Sequence, residues 1–327
     1  NLAPYTINFE VMQTPDQVPP VITSFNPASG SPIKFKTSEK VISFKLNEPV
    51  ECRWSFGDQD YSLMENNFSC DTTVTNYSVI NGYSCNGILT GVTQNISETT
   101  SYYIRCKDQP WLEGNETDIY QRNPSPTSSI YNLRPSQQLL ITEITPNGDL
   151  LLGRTVNNFT LTAKTSGGGF AGKAQCSWKL SYQNSSSVYA YFASTNSSTH
   201  TQIITNKTAA VYDINVKCTD EALNEVNQTA SLNLMYDSSP PIISRIFNSK
   251  NTLKVFTDEP AICKFMQVAS PLGCLFSILD PNSTLMYGTN SLEHTTPFKK
   301  GFLYLIKCQD YYQNENTICN FYDYKLV

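Results

Sequence analysis

"YYIRCKD" at residues 102–108 decides the fold, because its pattern returns as "INVKCTD" at 214–220 and "YLIKCQD" at 304–310. Each copy contains an apolar residue, a basic residue, Cys, any residue and Asp, in that order. Apolar positions recur with a period of two, which is the pattern of a half-buried β-strand. A repeat of this kind predicts a chain of similar units, each built around one such strand.

A second repeated element precedes each of these strands and contains another cysteine. It reads "EPVECRW" at 48–54, "GKAQCSW" at 172–178 and "EPAICKF" at 259–265. Two residues beyond each cysteine stands a large aromatic ring, on the same strand face as the sulfur. Because such a ring beside a disulfide fills the thin core of a small β-sandwich, the repeat register predicts three disulfides. They are Cys52–Cys106, Cys176–Cys218 and Cys263–Cys308, and the remaining cysteines predict Cys70–Cys85 and Cys274–Cys319.

The cysteine content indicates the compartment. The 327 residues include ten cysteines and two histidines, without the C-x-x-C or H-x-x-x-H spacing that is typical of zinc sites. An even, well-spread set of cysteines in a polar chain predicts disulfides, which persist outside the cell. The sequence therefore predicts an extracellular or cell-surface protein.

Charge and hydropathy limit the partners of the chain. The formal net charge is −5, whereas nucleic acids and anionic membrane surfaces attract basic patches. No apolar run approaches the roughly 18 residues of a membrane span. We therefore expect neither nucleic-acid binding nor a membrane span within this sequence.

Ten N-x-S/T sequons without proline at x predict N-linked glycans. Chance alone predicts about six in a chain this rich in Asn, Ser and Thr, so the excess is modest. Together with the disulfides, the sequons point to an archaeal or eukaryotic surface protein. The predicted sites are Asn67, Asn76, Asn95, Asn115, Asn158, Asn184, Asn196, Asn206, Asn227 and Asn282.

Proline pairs suggest where the units begin. "VPPVI" at 18–22 and "SSPPII" at 238–243 restrict the backbone before the first and third repeats. The sequence contains no convincing amphipathic helix, and turn signals separate its strands. We expect an all-β chain of three tandem β-sandwich domains. The predicted segments are an N-terminal extension strand at 1–17, followed by domains at 18–136, 137–237 and 238–327.

The elements Glu48 to Cys52 and Thr257 to Cys263, with the three strands that end in Asp, resemble immunoglobulin-like (Ig-like), fibronectin type III-like modules. Such modules occur in archaeal and bacterial surface proteins. The resemblance covers residues 18–327, but the middle unit departs from it, with "GGGFAGKAQC" in place of Glu-Pro. It implies that the first Cys of each pair lies on strand C and is bonded to strand F beside it. An antibody-like bridge between sheets, from strand B, is the alternative.

The glycine-rich segment contains G-x-G-x-x-G at Gly167, Gly169 and Gly172, followed by Lys173. Ala174 stands where a phosphate-binding P-loop needs Ser or Thr. Both phosphate-binding motifs need a loop that opens into a helix, whereas an alternating strand pattern follows here. The segment therefore favours a hairpin or bulge over nucleotide binding.

Material for catalysis is sparse. His200 and His294 lie in polar, loop-like sequence surroundings, and neither is near a nucleophile elbow. Asp258 and Glu259 are adjacent, so on a strand they would point to opposite faces and make a poor acid/base pair. We do not expect an enzyme.

Three acidic residues after the repeated strands leave calcium as the alternative to the expectation of no cofactor and no metal. Asp108, Asp220 and Asp310 begin loops that are rich in oxygen ligands, although no EF-hand spacing occurs. The other role for each Asp is to accept backbone N–H groups in the turn.

The first residues predict a strand without a partner. Ala3, Tyr5, Ile7, Phe9 and Val11 alternate with polar residues and Pro4, ahead of the first proline pair. The segment resembles "SLNLMYDSSPP" at 231–241, the last strand of the middle unit. It is therefore either a remnant of a preceding domain or a donor strand for a neighbouring copy.

The preferred hypothesis is a glycosylated structural subunit of a pilus-like surface filament, assembled head to tail by strand donation between copies. The alternative is a rigid Ig-like spacer within a larger adhesin or binding protein. Only the filament requires residues 2–12 to act between chains.

Overall fold

The computed structural model describes residues 15–78, 82–117, 121–153, 158–182, 188–269, 276–316 and 319–322. These residues form β-strands and three single-turn 3-10 helices, at Tyr61–Leu63, Val74–Asn76 and Pro110–Leu112, so the all-β prediction is confirmed. The domain boundaries stay predictions. Cys274 and the predicted donor-strand residues Ala3, Tyr5, Ile7, Phe9 and Val11 lie outside the described residues.

The first unit is a two-layer β-sandwich. Its strands are β1 (Ile22–Asn26), β2 (Ser31–Pro32), β3 (Lys40–Leu46), β4 (Val50–Ser55), β5 (Asn66–Asn67), β6 (Ser69–Cys70), β7 (Tyr83–Leu89), β8 (Thr100–Asp108) and β9 (Ser129–Arg134). The sheet β1-β3-β7-β6 packs against the sheet β2-β9-β8-β4-β5. Alternate residues point into the core, such as Phe44 on β3 and Tyr102 and Ile104 on β8. The period of two in the sequence thus selects the buried face.

The second unit repeats this plan with eight strands. They are β10 (Leu140–Thr145), β11 (Gly148–Gly153), β12 (Asn158–Ser166), β13 (Ala174–Ser181), β14 (Ala190–Tyr191), β15 (Thr199–Thr205), β16 (Ala210–Asp220) and β17 (Glu225–Asp237). The sheet β10-β12-β15 faces the sheet β11-β17-β16-β13-β14. Leu161 on β12 and Ile214 and Val216 on β16 belong to the core between them.

The third unit folds one sheet around its core. Its strands are β18 (Ile243–Ser249), β19 (Thr252–Val268), β20 (Thr284–Leu285), β21 (Ser291–Pro297), β22 (Leu303–Asp310) and β23 (Asn320–Tyr322). The first half of β19 pairs with β18 and β21, and its second half pairs with β22 and β20. Val255 and Phe265, from the two halves, join the same core cluster. A single long strand therefore serves both layers.

An outer strand runs parallel to the last strand of the first two units. β2 pairs with β9 through Ser31–Pro32, and β11 pairs with β17 over Gly148–Gly153. Among the described residues of the third unit, β23 pairs with β22 alone. The outer edge of β23 therefore has no strand beside it in this part of the chain.

Disulfides cross-link neighbouring strands within a sheet. Each joins directly opposed residues of an antiparallel pair, with Cα atoms 4.0 to 4.1 Å apart. Backbone bonds point away from the partner strand, as where Cys176 O accepts from Phe192 N, so these are non-hydrogen-bonded pairs. The three repeated bridges join β4 to β8, β13 to β16 and β19 to β22, and each pair of strands is adjacent in one sheet. This is the geometry expected for a bridge between neighbouring strands C and F, and it differs from an antibody-like bridge between sheets. The described bridges are Cys52–Cys106, Cys70–Cys85, Cys176–Cys218 and Cys263–Cys308, and Cys319 is also disulfide-bonded.

Candidate functional site

Each repeated Asp is held by an Asn beyond the end of its strand. In the second unit, Asn224 donates its backbone N–H to Asp220 Oδ1 and its Nδ2–H to Asp220 Oδ2, both at 2.8 Å. Asp220 N–H donates in return to Asn224 O at 3.1 Å. We name this arrangement the Asp–Asn clasp. The clasp supplies hydrogen-bond donors to a buried carboxylate, which burial without such partners would destabilise. It is also the role that the sequence offered as the alternative to calcium binding, in which the Asp accepts backbone N–H groups in the turn. The same bonds join Asp108 to Asn123 and Asp310 to Asn314.

The Asn of each clasp also bonds to the segment that leads into its unit. Asn224 Nδ2 donates to Ser136 Oγ at 3.0 Å, and Asn224 Oδ1 accepts from Phe35 N of the first unit at 2.7 Å. The clasp of the second unit thus ties that unit to the one before it. The other clasps donate to backbone carbonyls, Asn123 to Asp16 at 2.9 Å and Asn314 to Asp237 at 3.4 Å.

The segment "GGGFAGKA" completes the joint between the first and second units. A Cβ placed on Gly169 would lie 2.6 Å from Pro32 Cγ on β2, so only glycine permits this approach. Beside it, the Arg134 guanidinium lies 4.1 Å from the centre of the Phe170 ring. The segment leads into strand β13 and lacks the helix that phosphate-binding loops use. It is a packing element between units.

The joint between the second and third units also contains a glycine in close contact with the other unit, but this glycine belongs to the earlier unit. A Cβ on Gly153, the last residue of β11, would lie 3.0 Å from Tyr312 Cβ in the turn after β22. The clasp residue Asn314 follows in that turn and reaches the carbonyl of Asp237. In both joints, the turn that follows the repeated Asp of the later unit contacts residues at or just after the outer parallel strand of the earlier unit.

Carboxylates gather beside the clasps of the first and third units. Burial, followed by the charges of Asp108 and Asp16, raises the pKa of Glu48 to about 7. Burial and neighbouring carboxylates also raise the pKa of Glu259. The expectation of no cofactor and no metal stays a prediction, with calcium as its untested alternative. The groups with oxygens within 4.8 Å of one another are Asp16, Glu48 and Asp108, and Asp237, Glu259 and Asp310.

A Glu48→Gln variant should be more stable than the natural chain at pH 8. The raised pKa means that the fold prefers protonated Glu48, so this stabilisation is complete below about pH 4.5 and is lost as the pH rises through 7. Allowing for solvent screening, we expect a gain of about 1 to 2 kcal/mol at pH 8 and none near pH 4.5. Urea unfolding at both pH values measures it.

Glu51→Gln is the matched control for this charge change. Glu51 Oε2 lies 2.7 Å from an Arg122 guanidinium nitrogen, so removing the charge should lower stability at pH 8. A Glu48→Gln protein that is no more stable than the natural chain at pH 8 would contradict the crowding of carboxylates beside the clasp of the first unit.

Both histidines are buried, so the expectation of loop-like surroundings is wrong. His200 lies on β15 and His294 on β21, and each is 0% exposed. Thr165 Oγ1 donates to Gly172 O and lies 3.0 Å from His200 Nε2, so the Nε2–H must donate to Thr165. The polar residues on either side of each histidine in the sequence gave no sign of this burial. In the structure both rings point into the core, where they lie beside the buried threonines Thr165 and Thr257.

Acid should weaken the second unit through His200. Burial lowers the pKa of His200 below its ordinary value near 6.5, so the neutral ring's contribution is present above 6.5 and is lost as the pH falls towards the folded value. Thermal unfolding at pH 7 and pH 5 should show this loss. A His200→Gln variant should lose less between these pH values, and an equal loss would exclude His200 as the titrating group.

The predicted glycosylation sites are accessible wherever the structure describes them. The nine described sequon asparagines are all exposed, and Asn184 lies outside the described residues. Among the described residues, no helix is long and apolar enough to cross a membrane. Glycosylation itself stays a prediction.

Comparisons with known proteins limit what can be carried over. No family model and no curated protein matches the chain. Fibronectin(III)-like modules of Clostridium thermocellum CbhA match at 14% identity and a TM-score of 0.37, over 66% of this chain and 94% of that chain. A segment of titin matches at 11% and 0.35, over 93% and 97%, and Drosophila OTK extracellular domains 3–5 match at 12% and 0.27, over 91% and 95%. With such TM-scores, none of these likenesses identifies a function or an archaeal origin.

The clasp partners and the joint residues are functional features that the sequence interpretation did not identify. "DEALN" at 220–224 and "DYYQN" at 310–314 share Asp and Asn four residues apart, which is a visible signal. In the first unit the Asn follows Asp108 by 15 residues, so the repeat is hidden there. The proximity of Gly169 to Pro32 leaves no local signal.

Proposed function

We propose that this chain is a rigid spacer of an extracellular surface protein, in which disulfide-bonded Ig-like units are held in fixed succession. Tandem β-sandwiches with disulfides are typical of extracellular and structural modules. The observation that carries the proposal is Asn224, which bonds at once to Asp220 in its own unit, Ser136 in the connecting segment and Phe35 in the preceding unit.

Packing at the joints supports the same function. An interface between domains allows relative motion unless it is well packed and bonded. Here Gly169 lies against Pro32, Gly153 lies against Tyr312, and the Asp–Asn clasp adds hydrogen bonds at both joints. Such joints hold successive units at a defined distance and angle, which is what a spacer requires.

Gly169→Leu tests the spacer. The leucine side chain cannot fit against Pro32, so the first joint should open and small-angle X-ray scattering should give a broader pair-distance distribution. Gly57→Leu is the matched control, because no atom lies within 4 Å of a Cβ at Gly57. A Gly169→Leu protein whose scattering equals that of the natural chain would rule out a rigid first joint.

A second candidate is a filament subunit assembled by strand donation, with residues 2–12 of one copy inserted into the next. Within the described part of the chain, no strand pairs with the outer edge of β23, whereas β9 and β17 each have a parallel neighbour at the corresponding edge, and this favours strand donation. Sedimentation of the chain with and without residues 1–12 tests it. Polymers of the intact chain alone are expected, whereas monomers near 36.6 kDa in both would exclude strand donation.

N-linked glycans on the exposed sequons would suit either candidate, since they cover the surface of an extracellular rod. Intact mass before and after glycosidase treatment, on protein from a glycosylating host, tests this. An unchanged mass would show that the sequons are unused.

A further inference from the structure

Two disulfides of the first unit touch each other across the core. Cys85 Sγ lies 3.6 Å from Cys52 Sγ, and the sulfurs of Cys52, Cys70 and Cys85 lie within 4.8 Å of one another. Since Cys52 and Cys85 are both in disulfides, neither sulfur carries a proton, and the contact is one of van der Waals type. The Cys70–Cys85 bridge belongs to one sheet of the sandwich and the Cys52–Cys106 bridge to the other.

The four sulfurs differ in their access to solvent. Cys85, Cys52 and Cys106 are at most 1% exposed. Cys70 is only partly buried, at the end of the two-residue edge strand β6. An external thiolate would therefore reach Cys70 first, because attack on a disulfide requires access to one of its sulfurs.

The second unit contains no such pair of bridges. Against its Cys176–Cys218 disulfide, the place of a second disulfide is taken by His200, with a ring nitrogen within 4.8 Å of both sulfurs. His200 opposes Ala163 on β12 as Cys85 opposes Phe44 on β3. The contact between disulfides thus distinguishes the first unit from the second.

We propose that Cys70–Cys85 is a thiol–disulfide exchange site that takes small thiolates of the glutathione class and passes the exchange to Cys52–Cys106. The external thiolate attacks Cys70 Sγ, forming a mixed disulfide, and the Cys70–Cys85 bond breaks with Cys85 leaving as the thiolate. Cys85 then attacks Cys52 Sγ, the Cys52–Cys85 bond forms, and the Cys52–Cys106 bond breaks with Cys106 leaving as the thiolate. Two disulfides and one thiolate stand on each side, so no further oxidant or reductant is needed.

Bond formation requires only a small displacement. A disulfide bond is about 2.05 Å long, so the two sulfurs must approach by ~1.5 Å. A thiolate held in contact with its target reacts at an effective concentration far above that of an external thiol. The product bridge joins β4 to β7, which belong to opposite sheets. The exchange therefore replaces two links within sheets by one link between sheets, which would resist separation of the two layers.

Two single variants separate this relay from simple reduction. Cys70→Ser leaves Cys85 as a thiol beside Cys52, whereas Cys85→Ser leaves Cys70 as the thiol. After incubation at pH 8, alkylation with N-ethylmaleimide and peptide mapping without reduction, Cys70→Ser should contain the Cys52–Cys85 peptide and alkylated Cys106. Cys85→Ser should retain Cys52–Cys106. We expect at least about a tenfold higher yield of alkylated Cys106 in Cys70→Ser. Equal retention of Cys52–Cys106 in both variants would overturn the proposal.

The natural chain provides a measurement that does not depend on the folding of either variant. Incubated with 1 mM reduced glutathione at pH 8, it should form the Cys52–Cys85 peptide, with glutathione on Cys70 and N-ethylmaleimide on Cys106. Cys176–Cys218 and Cys263–Cys308 should remain intact as internal controls. Modification of Cys70 and Cys85 with an intact Cys52–Cys106 bridge at all times would overturn the proposal.

Discussion

Asn224→Asp is expected to destabilise the second unit by about 3 to 5 kcal/mol at pH 8. The substitution keeps the side-chain shape but replaces the Nδ2–H donor, 2.8 Å from Asp220 Oδ2, by a carboxylate oxygen. Asn224 is only 4% exposed, so two like charges would meet away from water. Urea unfolding followed by tryptophan fluorescence measures the change.

The pH dependence identifies the cause of this loss. If repulsion between the two adjacent carboxylates of the variant causes the loss, the loss should shrink as the pH falls, because protonation of either one removes that repulsion. Gln228→Glu makes the same amide-to-acid change at an exposed position of β17 and should alter stability by less than about 0.5 kcal/mol. Asn314→Asp repeats the test in the third unit. Equal effects of Asn224→Asp and Gln228→Glu would show that the clasp contributes nothing to stability.

Replacing both Cys176 and Cys218 by alanine should destabilise the second unit by about 4 kcal/mol. The two residues are 42 apart in the sequence, and the bridge limits the freedom of the unfolded chain in proportion to the logarithm of that loop. Alanine avoids burying a hydroxyl group at two positions that are 0% exposed. Equilibrium unfolding in urea measures the loss. The unfolding transition of the first unit, which contains neither cysteine, should stay unchanged.

The shorter bridge of the first unit provides the comparison. Cys70 and Cys85 are 15 apart, which predicts a smaller loss of about 3 kcal/mol for their double alanine variant. That unit also retains Cys52–Cys106, so it should stay folded at 25 °C. A larger loss for the 15-residue loop than for the 42-residue loop would contradict the chain-entropy account of these bridges.

The sequence by itself predicted the alternating strands and the four disulfides that the structure describes. Tyr102, Ile104 and Cys106 alternate with polar residues, and this local period of two fixes which face of β8 is buried. Because the repeat places a second cysteine upstream in the same register, it also predicts the partner Cys52. Both inferences rest on short-range patterns that the strand geometry preserves.

Only the tertiary structure decided what lies between strands that are distant in the sequence. Gly169 is adjacent to Pro32, and Cys85 touches Cys52, because layers and units pack together over large sequence separations. His200 is buried although its neighbours in the sequence are polar, since burial depends on which face meets the opposite sheet. The sequence pattern records the period of each strand, whereas these contacts depend on how whole sheets and units are placed against one another.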